Sequence, residues 1–267
     1  MPINSPKTLV VANWKMYLTS LKDAESLVSE VKKIMKHKKK VEVVLCPAAP
    51  HLVDVAYEIK RIKTISLGSQ DMSWQEKGAQ TGQISPLMLQ DVGATYAILG
   101  HSEVRALGET DEMVNKKVRT ALAQKITPIV CIGEQERDEN GFYLGFIQKQ
   151  VEAALAGVSK KDYQSVIFAY EPIWAIGKSA AQAVTPHNLH EMSLYIKKVI
   201  SDLSSKIIGM NVKVLYGGSV EGENAGALLS DGGVDGFLVG HASVEPKEFK
   251  EIVNRAETTE TLISTLN

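Results

Sequence analysis

Residues 165–178 read S-V-I-F-A-Y-E-P-I-W-A-I-G-K, and the interpretation of the whole chain starts from this stretch. Its first part, residues 166–170, is apolar, β-branched and aromatic, which is typical of a strand buried on both faces. We expect the strand to end at Glu171, because Pro172 removes a ladder donor and favours extended backbone in the residue before it. The loop that follows is apolar, so we expect it to cover a ligand at the end of the strand.

Seven other apolar runs have the length of a strand, and each is followed by a segment with helical spacing of apolar residues. The eight predicted strands cover residues 9–12, 41–46, 64–70, 95–99, 127–132, 166–170, 212–216 and 236–239. A helix between successive strands makes them parallel, and eight such units in about 250 residues favour closure into a barrel. No dinucleotide-type glycine motif follows the first strand, which argues against a doubly wound sheet. We therefore predict an α/β fold, a (β/α)8 barrel forming a single domain over residues 1–267, with residues 255–267 as a C-terminal extension.

Three of the predicted helices begin with a recognisable cap. Ser20 and Asp23 have the spacing of a capping box. Ser85 and Thr185 each precede a proline, which is the order of an N-cap and a first helical residue. These signals predict where the helices after the first, third and sixth strands begin.

Charge and cysteine usage limit the classes of partner. The 267 residues include 30 basic and 31 acidic side chains, and the formal net charge of -1 argues against nucleic acid or an anionic membrane as the main partner. The two cysteines, Cys46 and Cys131, have neither zinc-like nor C-x-x-C spacing, so we expect buried thiols in a reducing compartment. No apolar stretch approaches about 18 residues and the N-terminus has no signal-like apolar region. We therefore expect a soluble, cytoplasmic protein.

Polar side chains collect after the predicted strands, and in a β/α barrel the carboxyl ends of the strands form the active site. These side chains are Asn13, Lys15, His101, Glu103 and Glu171. The turns at residues 217–219 and 240–241 are small and expose backbone N–H groups, which suits a phosphate. Each feature alone has an ordinary structural explanation, such as a surface lysine or a hydrogen-bonded histidine. Together they predict a base, an imidazole, an ammonium group and a phosphate-binding turn around one pocket. None of the six histidines has metal-ligand spacing, so no metal is expected.

Over essentially its whole length the chain resembles the triosephosphate isomerase family. The motifs that carry the resemblance are N-W-K at 13–15, G-H-S-E at 100–103, C-I-G-E at 131–134, A-Y-E-P-I-W-A-I-G at 169–177 and Y-G-G-S-V at 216–220. The order Y-E-P-x-W-A-I-G is very specific to that family. The resemblance implies a TIM barrel, no cofactor, and an isomerase of glycolysis and gluconeogenesis that interconverts dihydroxyacetone phosphate and D-glyceraldehyde 3-phosphate.

The resemblance also implies a role for each catalytic side chain. Glu171 would be the base that moves a proton between two carbons through an enediolate. His101, as a neutral imidazole before a predicted helix start, and Lys15, as a fixed cation, would stabilise the oxyanion. Asn13 would hydrogen-bond the substrate oxygens, and Glu103 would orient Lys15.

The same resemblance implies how the phosphate is held. Backbone N–H groups of Gly177, Ser219, Gly240 and His241 would bind it. The apolar lid from Trp174 to Gly177 would close over the site and exclude water.

The chain departs from the family pattern at two places near the predicted phosphate site. After Gly177 the sequence of residues 178–184 is K-S-A-A-Q-A-V, where the family commonly continues T-G-K, which predicts altered lid kinetics. His241 stands where the family commonly has glycine. Its side chain either points to solvent without effect or adds a pH-dependent attraction for phosphate.

The long loop from Asp71 to Gln83 resembles the dimer loop of the family. By that resemblance it would insert into a partner subunit near Asn13 and Lys15, with Thr81 at its tip, and form a homodimer. The family usually has glutamate at the position of Gln83, so one charge is missing from this interface. A solvent-exposed loop is the alternative.

Two other functions stay open on the sequence. A different phosphate-binding barrel enzyme, such as an aldolase, needs a Schiff-base lysine on a central strand, and Lys213 is the candidate. A non-catalytic barrel that serves for binding or scaffolding is the other alternative, against which the joint presence of Lys15, His101 and Glu171 argues.

Overall fold

The computed structural model describes residues 7–175 and 184–259. In this part of the chain eight strands close into a barrel in sequence order, each parallel to the next, and the last pairs with the first. The strands are β1 Thr8–Asn13, β2 Val41–Cys46, β3 Ile65–Ser69, β4 Tyr96–Leu99, β5 Thr127–Ile132, β6 Ile167–Tyr170, β7 Val214–Tyr216 and β8 Gly236–Val239. The predicted TIM barrel is confirmed, and every predicted strand is present, with bounds shifted by at most two residues.

Helices surround the barrel, and the predicted caps start them. Within the described residues they are α1 Leu21–Met35, α2 Leu52–Ile59, α3 Pro86–Asp91, α4 Ser102–Arg105, α5 Asp111–Ala123, α6 Phe142–Leu155, α7 Pro186–Leu203, α8 Lys206–Asn211, α9 Ala225–Ser230 and α10 Pro246–Thr258. The side chains of Ser20, Ser85 and Thr185 each accept a backbone N–H from the first turn. The three predicted helix starts are therefore confirmed.

The region before β7 differs from the sequence prediction. Residues up to Asn211 form α8, a helix that was not predicted and that begins where the Ser205 side chain accepts the N–H of Ile208. The strand starts later than expected, and its first N–H, on Val214, donates to the Asp235 carboxylate at 2.8 Å. The sequence prediction missed α8 because the helix is short and its start is defined by a local side-chain cap, Ser205.

The apolar core has two layers. The larger layer lies between the strands and the helices. The smaller layer fills the barrel itself with alternate side chains of the strands, namely Leu9, Val11, Val44, Cys46, Ile98, Ile129, Cys131, Ile167, Ala169, Leu215 and Leu238. Because the interior is packed, a substrate can bind only at an end of the barrel, in the loops.

Some predictions fall on residues outside the described part of the chain. These are the second half of the predicted lid, including Gly177, the altered segment up to residue 183, and the extension beyond residue 259. The single-domain assignment over residues 1–267 stays a prediction. Among the helices of the described residues, none has the length and apolar character needed to cross a membrane.

Candidate active site

A cleft of about 530 Å³ opens at the carboxyl ends of the strands. Its lining includes the predicted residues Asn13, Lys15, His101, Glu171, Ser219, Gly240 and His241. Glu103 is not part of the lining, but it contacts Lys15 from the side of the cleft. The structure therefore brings together all the predicted site residues that it describes.

Glu171 lies directly after β6 with only 3% of its surface exposed. Its Oε2 accepts the backbone N–H of Ser102 at 3.2 Å, and its Oε1 lies 3.3 Å from Nε2 of His101. Burial raises the pKa of Glu171 because the ionised form loses solvation, and the Ser102 N–H and Lys15 offset only part of that rise. The ionised carboxylate is therefore a stronger base than an exposed glutamate.

Two glycines make room for Glu171. A Cβ on Gly133 would lie 1.7 Å from the carbonyl oxygen of Glu171, and a Cβ on Gly217 would lie 2.7 Å from its Cγ. Neither distance is compatible with any side chain. The backbone N–H of Glu171 also donates to the carbonyl of Ile132 at 2.8 Å, so the ends of β5, β6 and β7 together fix the carboxylate.

His101 is held as a neutral imidazole. It caps α4, and its Nδ1 accepts the backbone N–H of Glu103 at 3.2 Å. A ring nitrogen that accepts a hydrogen bond carries no proton, so the proton is on Nε2. That N–H points toward Glu171 and the cleft, where it can donate to an oxygen of a bound molecule.

Lys15 has an uncommon backbone conformation, with φ at +45°. Its N–H donates to Oδ1 of Asn13 at 3.1 Å, and its carbonyl oxygen accepts Nε2 of Gln70 at 2.9 Å. Its Nζ lies 2.6 Å from Oε1 of Glu103. These contacts hold the ammonium group over the cleft. Gln70 was only the predicted last residue of the third strand, and its support for Lys15 was not foreseen.

Cys131 and Glu134 also contribute to the site in ways that the sequence did not reveal. The Cys131 thiol is buried, as expected, and it also lowers the pKa of Glu171, a contribution that the sequence did not predict. Oε1 of Glu134 accepts the hydroxyl of Tyr170 and the indole N–H of Trp174, each at 2.8 Å. It thereby ties the first residue of the predicted lid to the barrel. The position of Glu134 just after β5, like that of Glu171 after β6, was the sequence feature that could have predicted its place in the site.

The end of the cleft formed by the loops after β7 and β8 consists of small turns. A Cβ on Gly240 would lie 3.5 Å from Cε of Lys15, so the lysine stem packs on this turn. His241 has 64% of its side chain exposed, its ring lies 5.0 Å from the ring of Tyr17, and its Nε2 is 4.0 Å from Oε1 of Glu245. The imidazole therefore stands at the rim of the cleft.

Lys213 lies before β7, where its carbonyl accepts the N–H of Phe168 at 3.0 Å. That position is at the end of the barrel opposite the cleft, and Lys213 is absent from the lining of the cleft. The aldolase alternative therefore lacks its Schiff-base lysine. Within the described residues no three His, Cys, Asp or Glu side chains are grouped so as to hold a metal ion.

The loop from residue 71 to residue 83 projects from the barrel, with residues 75–83 exposed. Its base is closed by a hydrogen bond from Ser73 N to the carbonyl of Ile84 at 2.8 Å. At the base Lys117, 3% exposed, pairs with Asp71 at 2.7 Å and with Glu109. The projection is therefore anchored by a buried ion-pair cluster.

The chain is a closed parallel barrel, and one cleft holds a buried carboxylate, a neutral imidazole and an ammonium group. These features define an enzyme of the β/α-barrel class. Comparison with known proteins is more specific. The model of the family described as triosephosphate isomerase matches residues 8–256. The chain belongs to the triosephosphate isomerase family.

Several curated proteins with that name are similar along nearly their whole length. The triosephosphate isomerase of Caldanaerobacter subterraneus subsp. tengcongensis is 43% identical over 251 residues, which is 93% of this chain and 99% of that protein. The protein of the same name from Thermoanaerobacter pseudethanolicus is 42% identical over 253 residues, 93% and 99% of the two chains. That of Dictyoglomus thermophilum is 39% identical over 249 residues, 92% and 98%.

Proposed function

We propose that the protein interconverts dihydroxyacetone phosphate and D-glyceraldehyde 3-phosphate, as an aldose–ketose isomerase that needs no cofactor. The observation that carries this proposal is the convergence of Glu171, His101 and Lys15 on one cleft in a chain of the triosephosphate isomerase family. Each of the three side chains supplies one of the chemical functions that this reaction requires.

Glu171 is the base of the reaction. It takes a proton from the carbon beside the substrate carbonyl and returns it to the neighbouring carbon. Its burial supports this role, because the raised pKa of Glu171 increases the basicity of the carboxylate. Before substrate binds, the N–H of Ser102 holds the carboxylate at the edge of the cleft.

His101 and Lys15 stabilise the enediolate that forms when the proton leaves. The Nε2–H of His101 donates to the developing oxyanion, and the ammonium group of Lys15 supplies a fixed positive charge. Asn13 uses its Oδ1 to hold the backbone of Lys15, which leaves its Nδ2 as a donor to substrate oxygens. Glu103 acts through Lys15 and is a positioning residue.

The phosphate binds at the turns after β7 and β8. Backbone N–H groups of Ser219, Gly240 and His241 hold it, together with that of Gly177 in the lid. The lid from Trp174 to Gly177 closes over the bound substrate, which excludes water and suppresses elimination of phosphate from the enediolate.

We also propose that the protein is a cytoplasmic homodimer. The loop from residue 71 to residue 83, exposed over residues 75–83, reaches a partner subunit through Thr81. Met16, next to Lys15, supports a covered surface there, because 85% of this large apolar side chain is exposed in the single chain. Cys46 and Cys131 are free thiols, as expected in a reducing compartment.

A coupled assay with each triose phosphate tests the proposed function. The purified protein should convert both substrates, and in deuterated water the product should carry deuterium at the former carbonyl carbon, to which Glu171 returns the proton after exchange with solvent. Glu171→Gln is the control, because it retains the shape of the side chain without the base. Absence of turnover of either triose phosphate by the folded protein would overturn the proposal.

A further inference from the structure

The side chain of His241 lines the cleft at its phosphate end and has no part in the proposed chemistry. It is the first residue of the 3₁₀ turn His241–Val244, directly after Gly240. Its ring meets the ring of Tyr17 edge to face, with centroids 5.0 Å apart and planes at 80°. The imidazole is thus held between the loops that follow β1 and β8.

The charges around this end of the cleft are unfavourable for an anion. The carboxylates that line the cleft are Glu171, Glu221, Glu245 and Glu248. Among the described lining residues Lys15 is the one permanent cation, and it already pairs with Glu103. A dianionic phosphate entering the cleft therefore meets more negative than positive charge, and a second cation would improve its binding.

We propose that His241 is a further substrate-binding residue, whose imidazolium form attracts the phosphate group and makes phosphate affinity increase as pH falls. The inference rests on the proposed function, since it takes a phosphate ester as substrate. Tyr17 limits the orientations of the ring, so that the charge stays at the rim of the cleft.

The groups around His241 determine the sign of this effect. Glu245, directly after the turn that begins with His241, has its Oε1 4.0 Å from Nε2 and can pair with an imidazolium. Glu221, before α9, and Glu248, in the first turn of α10, add negative charge in the same cleft, and Lys15 adds one positive charge. With three carboxylates against one ammonium group, the surroundings of the ring carry net negative charge, which an imidazolium complements.

Competitive inhibition by inorganic phosphate, compared between the wild type and His241→Gln from pH 5.5 to pH 8.5, tests the proposal. The substitution retains the backbone N–H and the polar character of the side chain but removes the charge. The inhibition constant of His241→Gln divided by that of the wild type should be about 1 at pH 8.5. This ratio should rise about two- to fivefold at pH 6, as expected for an exposed ion pair. The titration of phosphate itself cancels in this ratio.

His187→Gln is the matched control. His187 is also exposed and also faces a carboxylate four residues later, with Nε2 3.6 Å from Oε1 of Glu191, but it does not line the cleft. The ratio for this variant should stay at 1 throughout. Nuclear magnetic resonance of the His241 ring supplies a readout without turnover, and saturating phosphate should shift its titration to higher pH.

A ratio for His241→Gln that does not vary with pH, or a His241 ring whose titration is unchanged by phosphate, overturns the inference. Either result leaves the proposed isomerase standing if the wild type still converts triose phosphates. Loss of the proposed function would instead appear as a wild-type protein that binds phosphate with the predicted pH dependence but converts neither substrate.

Discussion

The glycine at position 133 allows a sharp test of how the barrel positions the base. A Cβ in Gly133→Ala would lie 1.7 Å from the carbonyl oxygen of Glu171 and 2.5 Å from its carbonyl carbon. Real Cβ contacts are not shorter than 3.0 Å, so the end of β6 must move by more than 1 Å. Both groups are main-chain atoms, and no side-chain rotation can relieve the overlap.

This displacement should reduce both stability and activity. Overpacking against a backbone costs about 3 kcal/mol of unfolding free energy, at the upper end of the usual range. A displacement of about 1 Å of a catalytic group costs on the order of 100-fold in rate. We therefore expect kcat of Gly133→Ala to fall by about 100-fold with a much smaller change in KM, because the phosphate turns at Ser219 and Gly240 are not moved.

Urea denaturation and the coupled isomerase assay measure the two effects. Gly145→Ala is the control, since Gly145 lies in α6 and a Cβ there meets no atom within 4 Å. That variant should be more stable by about 0.5 to 1 kcal/mol, because alanine favours a helix over glycine, and its kcat should be unchanged. Wild-type stability and wild-type kcat in Gly133→Ala would refute the reasoning.

Three further variants test other contacts. Glu171→Gln should lose about 1,000-fold or more in kcat, yet its Tm at pH 8 should be higher than that of the wild type. Burial raises the pKa of Glu171 in the folded chain, so the ionised carboxylate reduces stability as pH rises through that pKa. The kcat/KM of the wild type should decline as pH falls through the same pKa. Glu134→Leu should cost about 2 kcal/mol or more in urea, since the buried hydroxyl of Tyr170 and the half-buried indole N–H of Trp174 lose their acceptor. Lys117→Met should cost about 3 to 5 kcal/mol in the same experiment, because the buried Glu109 and the nearby Asp71 lose their counter-charge.

Each of these variants has a control or a contradicting outcome. A Tm for Glu171→Gln at or below that of the wild type at pH 8 would show that burial does not penalise the carboxylate. Glu134→Gln retains an acceptor oxygen and should cost less than about 1 kcal/mol, so an equal loss in both variants would argue against the hydrogen bonds. Lys116→Met removes an exposed pair with Glu112 and should change stability by less than about 0.5 kcal/mol.

The strands could be predicted because each is a buried apolar run bounded by residues that are typical of turns and helix caps. Leu9 and Ile129 lie in such runs and are buried inside the barrel, and Val43 and Phe168 are buried between the strands and the helices. The side chains at the strand ends could be predicted for the same reason, since a charged residue such as Glu171 after an apolar run has no place in a core. The apolar pattern of the strands and the parallel barrel topology were together enough to predict that positions far apart in sequence lie in one cleft.

The supporting contacts could not be predicted from local pattern. Gln70 donates to the carbonyl of Lys15, the thiol of Cys131 lowers the pKa of Glu171, and Glu134 accepts the indole N–H of Trp174. The two members of each pair are far apart in sequence. Their residue types are compatible with many positions, and only the three-dimensional register of neighbouring strands decides which partner they meet. A local side-chain cap, Ser205, likewise starts α8 at residues for which no helix or strand had been predicted.

The pairing of β1 with β8 has a consequence for how the protein is made. Lys15 packs on the turn at Gly240, so the ammonium group and the amides beside it come from opposite ends of the polypeptide. A nascent chain that has emerged from the ribosome only as far as β7 lacks half of this junction, however well its earlier strands have formed. Enzymatic turnover should therefore begin abruptly, once the last strand joins the first. The time at which activity appears then reports when folding is complete.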